Sequence, residues 1–401
     1  MTETENMMRE VFLPFALPAI GEDEIAEVID TLRSGWVTTG PKVKRFEDQF
    51  AEYTQAKNSL ALNSCTAGLH MALAALGIGP NDEVIVPTLT FCATANVVVH
   101  VGARPVLVDV GPDFQIDPIA VEKAITPRTR AIMPVHYAGQ SCDLNAIYEL
   151  ASQHNLAVIE DAAHAIGSTY QDKMIGSDSL SSGFPEVGRA TAFSFYANKN
   201  MTTGEGGMVT TPDNELAATM RTLSLHGMSK DAWKRYTNAG SWFYEVVAAG
   251  FKNNMTDIAA SLGIHQLRRL DGFIKIRQSY ARIYDEAFRD LDPVQTPITH
   301  ADRNHAYHLY AIQLELAQLT IDRAVFIDKL KELNIGASVH FIPLHRHPFY
   351  RDQFGYQAGD LPQADGLYES VLSLPLYPRM SEQDVNDVVE AVYHIASTYR
   401  R

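Results

Sequence analysis

The sequence predicts an α/β fold: a mainly parallel sheet covered by helices, followed by a smaller C-terminal α+β part. Three observations predict it. Between about residues 56 and 211, short apolar runs alternate with helical patterns. The runs are continuously apolar rather than alternating, which marks strands buried on both faces. Their β-α-β-α order needs crossover helices between parallel neighbours.

Each element follows from local chemistry. Ile25, Val28, Ile29 and Leu32 stand at i, i+3, i+4 and i+7, which predicts an N-terminal helix with one apolar face. Asn63-Ser64-Cys65-Thr66-Ala67-Gly68 follows a short apolar run and opens a helix. Strands are predicted at Glu83–Pro87, Pro105–Asp109, Arg130–His136, Leu156–Glu160, Thr191–Phe195 and Gly207–Thr211. Asp117 before Pro118 reads as an N-cap with proline at the first helical position. Asp143 caps the helix that carries Ile147 and Leu150. A long helix begins near Thr256 and carries Leu262, Leu267, Leu270, Phe273, Ile274 and Ile283. Beyond it the pattern predicts strands at His308–Leu314 and Ala337–Ile342, with a helix between them capped by Asp322. Ser381-Glu382-Gln383-Asp384 opens the last helix, whose core face is Val385, Val388, Val389, Val392 and Ile395. The expected division is an N-terminal tail over 1–13, a large domain over 14–262 and a small domain over 263–401.

Composition narrows the function. Lys and Arg number 33 against 48 Asp and Glu, a net charge of −15, with no basic stripe, so nucleic acid is a poor partner. Arg104 and His100 interrupt the longest apolar stretches, which excludes a membrane-spanning helix. The acidic N-terminus lacks the layout of a signal peptide. Cys65, Cys92 and Cys142 form no Cys-x-x-Cys pair, which suits a reducing cytoplasm and argues against a zinc site. The spacing in Val339-His340-Phe341-Ile342-Pro343-Leu344-His345-Arg346-His347 fits hydrogen-bonding histidines rather than a metal set, so no metal is expected.

Ligands of an open α/β sheet bind at the carboxyl ends of its strands. His136, Asp161 and Lys199 all stand at such ends. Lys199 lies in the turn between an apolar strand and the glycine-rich bend Gly204-Glu205-Gly206-Gly207. A poorly solvated lysine gives up its proton readily and forms Schiff bases. Paired with the carboxylate of Asp161, it makes the arrangement pyridoxal phosphate requires, an imine-forming amine and an acidic partner for the pyridinium nitrogen. Gly204–Gly207 is not a dinucleotide fingerprint, since the glycine spacing differs and a strand follows. The turn at Asn63–Gly68, with small residues at a helix N-terminus, is a candidate phosphate cradle.

These segments, together with Ser34–Pro41, Val158–His164, Gly250–Asp257 and Val339–Tyr350, resemble the DegT/StrS family of nucleotide-sugar aminotransferases over nearly the whole chain. The resemblance implies an aspartate-aminotransferase-like (fold type I) enzyme that binds pyridoxal 5'-phosphate and forms a homodimer with shared active sites. It implies Lys199 as the Schiff-base and proton-shuttling residue, Asp161 as partner of the ring nitrogen, His164 beside the ring and Phe91 stacked on it. Thr66, Ala67 and Ser194 match phosphate-holding positions, with Asn254 supplied by the other subunit. Trp36, Thr38, His340 and His345 fall in segments that resemble the family's substrate lining. The implied substrates are glutamate and a nucleotide-linked keto-sugar. Thr202-Thr203-Gly204-Glu205-Gly206-Gly207 resembles members that aminate C4 of the sugar, whereas Tyr196 is similar to members acting at C3. Lys199 itself departs from the related dehydratases, which carry histidine there.

Overall fold

The computed structural model describes residues 8–228 and 243–401. In chain order the main elements are α1 (Glu22–Ser34), α2 (Pro41–Thr54), β1 (Asn58–Leu62), α3 (Cys65–Ala75), β2 (Glu83–Pro87), α4 (Ala93–His100), β3 (Arg104–Val108), α5 (Pro118–Ala124), β4 (Thr129–Ile132), α6 (Leu144–His154), β5 (Ala157–Asp161), β6 (Arg189–Ser194), β7 (Gly207–Thr211), α7 (Asn214–Ser224) and α8 (Asp257–Phe288). The C-terminal part adds β8 (Tyr310–Leu314), α9 (Arg323–Glu332), α10 (Pro348–Phe354), α11 (Pro362–Ser370), β9 (Val371–Leu374) and α12 (Glu382–Thr398).

The central sheet has seven strands in the order β1-β7-β6-β5-β4-β2-β3. Neighbours from β6 to β3 pair in parallel, while β7 runs antiparallel to both β6 and β1. Successive side chains alternate between the two faces of a strand. Accordingly Ile85 and Val158 join one buried cluster with Phe46, Phe50 and Ile264, while Val84, Val86 and Ile159 join another with Leu69 and Val97. The expected fully buried parallel sheet is therefore present, with helices on both faces.

The predicted caps hold. Asp117, Asp143 and Asp322 accept from the amides of Ile119, Ala146 and Val325, and Ser381 with Asp384 closes a capping box. α8 is capped by Thr256, whose hydroxyl accepts from the Ala259 amide. The expected boundary after residue 262 falls inside α8. Its side chains serve the sheet core as far as Ile274 and the C-terminal core from Tyr280 onward. That second core gathers Tyr284, Phe288, Ile312, Phe326, Leu372, Val388 and Val392.

Three expectations change. The strand at Ala337–Ile342 is absent: Ser338 makes one isolated bridge to Ser373, and the His340 carbonyl is taken by the Tyr137 hydroxyl, so the chain turns away from β9. The strand at Arg130–His136 is regular only over Thr129–Ile132; Pro134 has no amide to donate, and beyond it Val135 makes an isolated bridge to Asp161. The apolar stripe of α1 does not face the core. Ile25, Ile29 and Leu32 are exposed, while Glu24 and Thr31 are buried against α8, where Gln266 and Arg269 donate to Glu24. Of the N-terminal tail, residues 1–7 lie outside the described residues. Residues 8–13 pack on the C-terminal part: Leu13 is buried and bridges Ile335, and Arg9 pairs with Asp384 and Asp387.

Candidate active site

The carboxyl end of β5 presents Asp161, wholly enclosed. One oxygen accepts from the Thr94 hydroxyl at 2.8 Å, the other from the Ala163 amide at 3.1 Å, with the Cys65 thiol at 3.9 Å. Burial pushes its pKa up, while Thr94, the Ala163 amide and the Lys199 charge pull the other way. Lys199 follows β6 in a tight turn, its amide bonded to the Tyr196 carbonyl at 3.0 Å. Loss of water around the amine brings its pKa down to about 8, against the opposing pull of Asp161 and Cys65. The amine therefore loses its proton far more readily than a surface lysine, with about a tenth of it neutral at pH 7.

Three imidazoles surround this amine. His308 Nε2 lies 3.3 Å from Lys199 Nζ. The His164 and His308 rings are 4.3 Å apart, and His164 stacks on Phe341 at 5.8 Å. The Ala138 amide donates to His164 Nδ1 at 3.3 Å, so the neutral ring carries its proton on Nε2. His340 Nδ1 bonds the Ser373 hydroxyl at 3.0 Å. Burial, and then the Lys199 charge, lowers His164 and His308 far below the ordinary histidine range and His340 to about 4.

At the adjacent strand end, α3 opens with Ser64 as N-cap, its hydroxyl accepting from the Ala67 amide at 3.1 Å. The Ala67 amide is thus already engaged. Among the described residues the amides of Cys65 and Thr66 have no acceptor, and they point out of a helix N-terminus. Gly207 lies directly against this turn, where a Cβ would come within 2.5 Å of Cys65 N and Ser64 O. Only glycine lets β7 begin there. Ser194 is buried at the end of β6.

The remaining predicted residues spread outward. Phe91 is 58% exposed, its ring 6.0 Å from Phe341. Trp36 donates to the Thr39 carbonyl at 3.3 Å and Thr38 is exposed. Asn254 sits on its own protomer against Thr39 at 2.6 Å, and its backbone bridges Leu62. His345 departs from expectation. It is completely buried, with Nδ1 on the Thr88 hydroxyl at 2.8 Å and Nε2 on Asp365 at 3.0 Å, so it braces the loop and offers no free donor. His136 is likewise buried, between Glu160 at 3.0 Å and the Cys142 amide at 3.2 Å. Glu160 also accepts from Arg189 and Tyr148, each at 2.6 Å, which anchors the strand pair β5–β6 from below.

Sequence reasoning did not single out His308, Thr94 or Phe341. His308 stands at the start of a predicted strand, and nothing local separates it from an ordinary strand residue. Together the groups offer an amine that loses its proton near neutrality, an enclosed carboxylate and a free helix N-terminus. That set fits pyridoxal phosphate, whose aldehyde, basic ring nitrogen and phosphate require one of each.

A sequence model of the DegT/DnrJ/EryC1/StrS aminotransferase family matches residues 18–393. The chain is 54% identical to the spore coat polysaccharide biosynthesis protein SpsC of Bacillus subtilis (strain 168), over 96% of this chain and 98% of that protein. A putative sugar aminotransferase from Streptococcus pneumoniae, solved in its PMP form, superposes with a TM-score of 0.89 at 36% identity, covering 96% of this chain and 99% of that one. PseC of Helicobacter pylori, an aminotransferase involved in the biosynthesis of pseudoaminic acid, superposes at 0.87 with 28% identity, covering 97% and 100%.

Proposed function

The chain belongs to the DegT/DnrJ/EryC1/StrS aminotransferase family, whose members depend on pyridoxal phosphate, and from that premise we propose that it moves an amino group from glutamate to C4 of a nucleotide-linked keto-deoxysugar. The observation that carries the reading is the Lys199 amine, about 8 in pKa, in the field of the enclosed Asp161 carboxylate and beside the open N-terminus of α3. Bound there, pyridoxal phosphate supplies the electron sink that lets an amino group change carbon.

The protein groups divide the remaining work. Lys199 would hold the cofactor and, as a neutral amine, move a proton to and from the reacting carbon. Asp161, kept in place by Thr94 and the Ala163 amide, would pair with the ring nitrogen and favour its protonated form. The free amides of Cys65 and Thr66, with Ser194, hold the phosphate, and Asn254 of the neighbouring subunit completes that grip. His164 and Phe91 would flank the ring. Trp36, Thr38 and His340 would contact the sugar nucleotide, His340 through Nε2, which has no hydrogen-bond partner among the described residues. Local donors of this kind must outweigh a net charge of −15 that repels a diphosphate at long range.

A homodimer is part of the same reading. Ile25, Ile29 and Leu32 leave an apolar face of α1 uncovered on the protomer, which a second copy would bury. The three cysteines are free thiols, in keeping with action in the cytoplasm. Tyr196, 49% exposed beside Lys199, favours C3 as the second reading. A panel assay decides between them. The amino form of the enzyme, prepared with glutamate, is mixed with 4-keto and 3-keto nucleotide sugars, and the product amine is located by NMR. Amination at C3 alone would overturn the C4 assignment.

A further inference from the structure

The buried His136 and His345 are each tied down at both ring nitrogens. His308 is different. It is 4% exposed, its Nδ1 has no hydrogen-bond partner among the described residues, and the ring packs on His164 at 4.3 Å with Nε2 3.3 Å from Lys199 Nζ. Packing on His164 and the firmly held backbone place the ring, and Nε2 faces the lysine amine.

The backbone around it is held unusually firmly. Tyr307, one residue earlier, has φ +46°, a left-handed conformation that an aromatic residue adopts only when its surroundings enforce it. The His305 ring accepts from the Tyr307 amide at 2.8 Å and stacks on the Tyr307 ring at 4.0 Å. The buried Arg277 guanidinium gathers the carbonyls of Tyr307, His308 and Leu376 at 3.2, 3.4 and 2.6 Å. On the other side, the Leu309 amide bonds the Ala138 carbonyl at 3.1 Å, which ties the start of β8 to the loop that orients His164. The small domain thus delivers one imidazole to the lysine of the large domain at a fixed place.

We propose that His308 is the positioning residue of Lys199: its Nε2 accepts a hydrogen of the free amine and parks Nζ in the field of Asp161 whenever the lysine is not covalently engaged. The ring proton then sits on Nδ1. The inference rests on the reading of Lys199 as the cofactor lysine, and its test separates the two.

The probe is acetic anhydride, applied to the cofactor-free full-length protein across pH, with acetylation of Lys199 followed by mass spectrometry in wild type, His308→Leu and His308→Gln. Asp161, Cys65, His164, His340 and Arg277 remain around the amine or its partner in all three. Leucine fills the space but accepts nothing, so the labelling midpoint falls by about one pH unit. Glutamine reaches a similar point with an acceptor and restores most of the shift. An unmoved midpoint in His308→Leu, or equal shifts in both variants, overturns the proposal. Nitrogen-15 NMR of labelled histidines needs no change at His308. Lys199→Met should move the His308 Nε2 resonance toward that of an unbonded ring nitrogen, and an unmoved resonance likewise overturns it. Borohydride attachment of the cofactor to Lys199 in His308→Leu reads the underlying assignment independently. Its persistence leaves that assignment standing whatever the labelling shows.

Discussion

Gly207→Ala is the sharpest test of the phosphate cradle. The added Cβ would meet Cys65 N and Ser64 O at 2.5 Å, both backbone atoms, roughly 1 Å inside ordinary van der Waals separation. No flexible side chain can yield, so either β7 or the first turn of α3 must move. β7 is held on both sides by β1 and β6, which leaves the cradle to shift. A displacement of that size breaks an amide-to-phosphate hydrogen bond, and bonds to charged groups contribute about 1.5–3 kcal/mol each. Cofactor affinity should therefore fall by roughly 10- to 100-fold. The assay is a titration of cofactor-free protein with pyridoxal phosphate, followed by near-visible absorbance. Gly272→Ala in α8, where nothing lies within 4 Å, is the control and should leave affinity unchanged. Wild-type affinity in a folded Gly207→Ala protein would refute the cradle.

Lys199→Ala should abolish turnover, and borohydride should fix the cofactor of the wild-type enzyme to Lys199; labelling at another lysine sinks that role. Asp161→Asn should still bind cofactor yet lose on the order of 100- to 1,000-fold in kcat, as loss of an electrostatic stabiliser does, and near-normal turnover would make Asp161 structural only. Arg189→Met leaves the Glu160 carboxylate buried without its strongest partner and should cost about 3–5 kcal/mol of stability by denaturant unfolding; a change under 1 kcal/mol contradicts the anchoring role. His305 is held to about 3 by burial and stays neutral when folded, so the unfolded chain binds more protons below about pH 6.5 and stability falls on acidification. His305→Gln should flatten that loss by up to about 1.4 kcal/mol per pH unit, and an unchanged slope rules the contribution out. Mixing Lys199→Ala with a defective Asn254→Asp should restore activity through shared sites, whereas a fully active monomer by light scattering excludes them.

The sheet was legible because burial on both faces removes the polar alternation that confuses strand assignment, as in Glu83–Pro87 and Ala157–Asp161. Caps were legible because they are local, and Asp117 and Ser381 need no tertiary partner. Failures came where distant groups decide. The apolar stripe of α1 gave the right helix with the wrong face inward, since Gln266 and Arg269 receive Glu24. β9 escaped notice because Val371–Leu374 is only four residues long. Of the site, Lys199 and Asp161 announce themselves by chemistry at strand ends. His345 looked like a free donor until Thr88 and Asp365 claimed both its nitrogens. His308 enters the site through the docking of β8 on the Ala138 loop, a long-range event with no trace in its neighbours.

The central claim, amino transfer to a nucleotide-linked keto-sugar, is tested most directly by single-turnover mixing. The amino form of the enzyme, made with glutamate and freed of excess donor, is mixed in a stopped-flow spectrometer with nucleotide 4-keto-6-deoxysugars and, separately, with free keto-acids. The account predicts that the cofactor spectrum returns to its starting form rapidly with the correct keto-sugar and far more slowly with keto-acids other than 2-oxoglutarate. Return as fast with such keto-acids as with every nucleotide keto-sugar tried would contradict it and mark a general amino-acid aminotransferase.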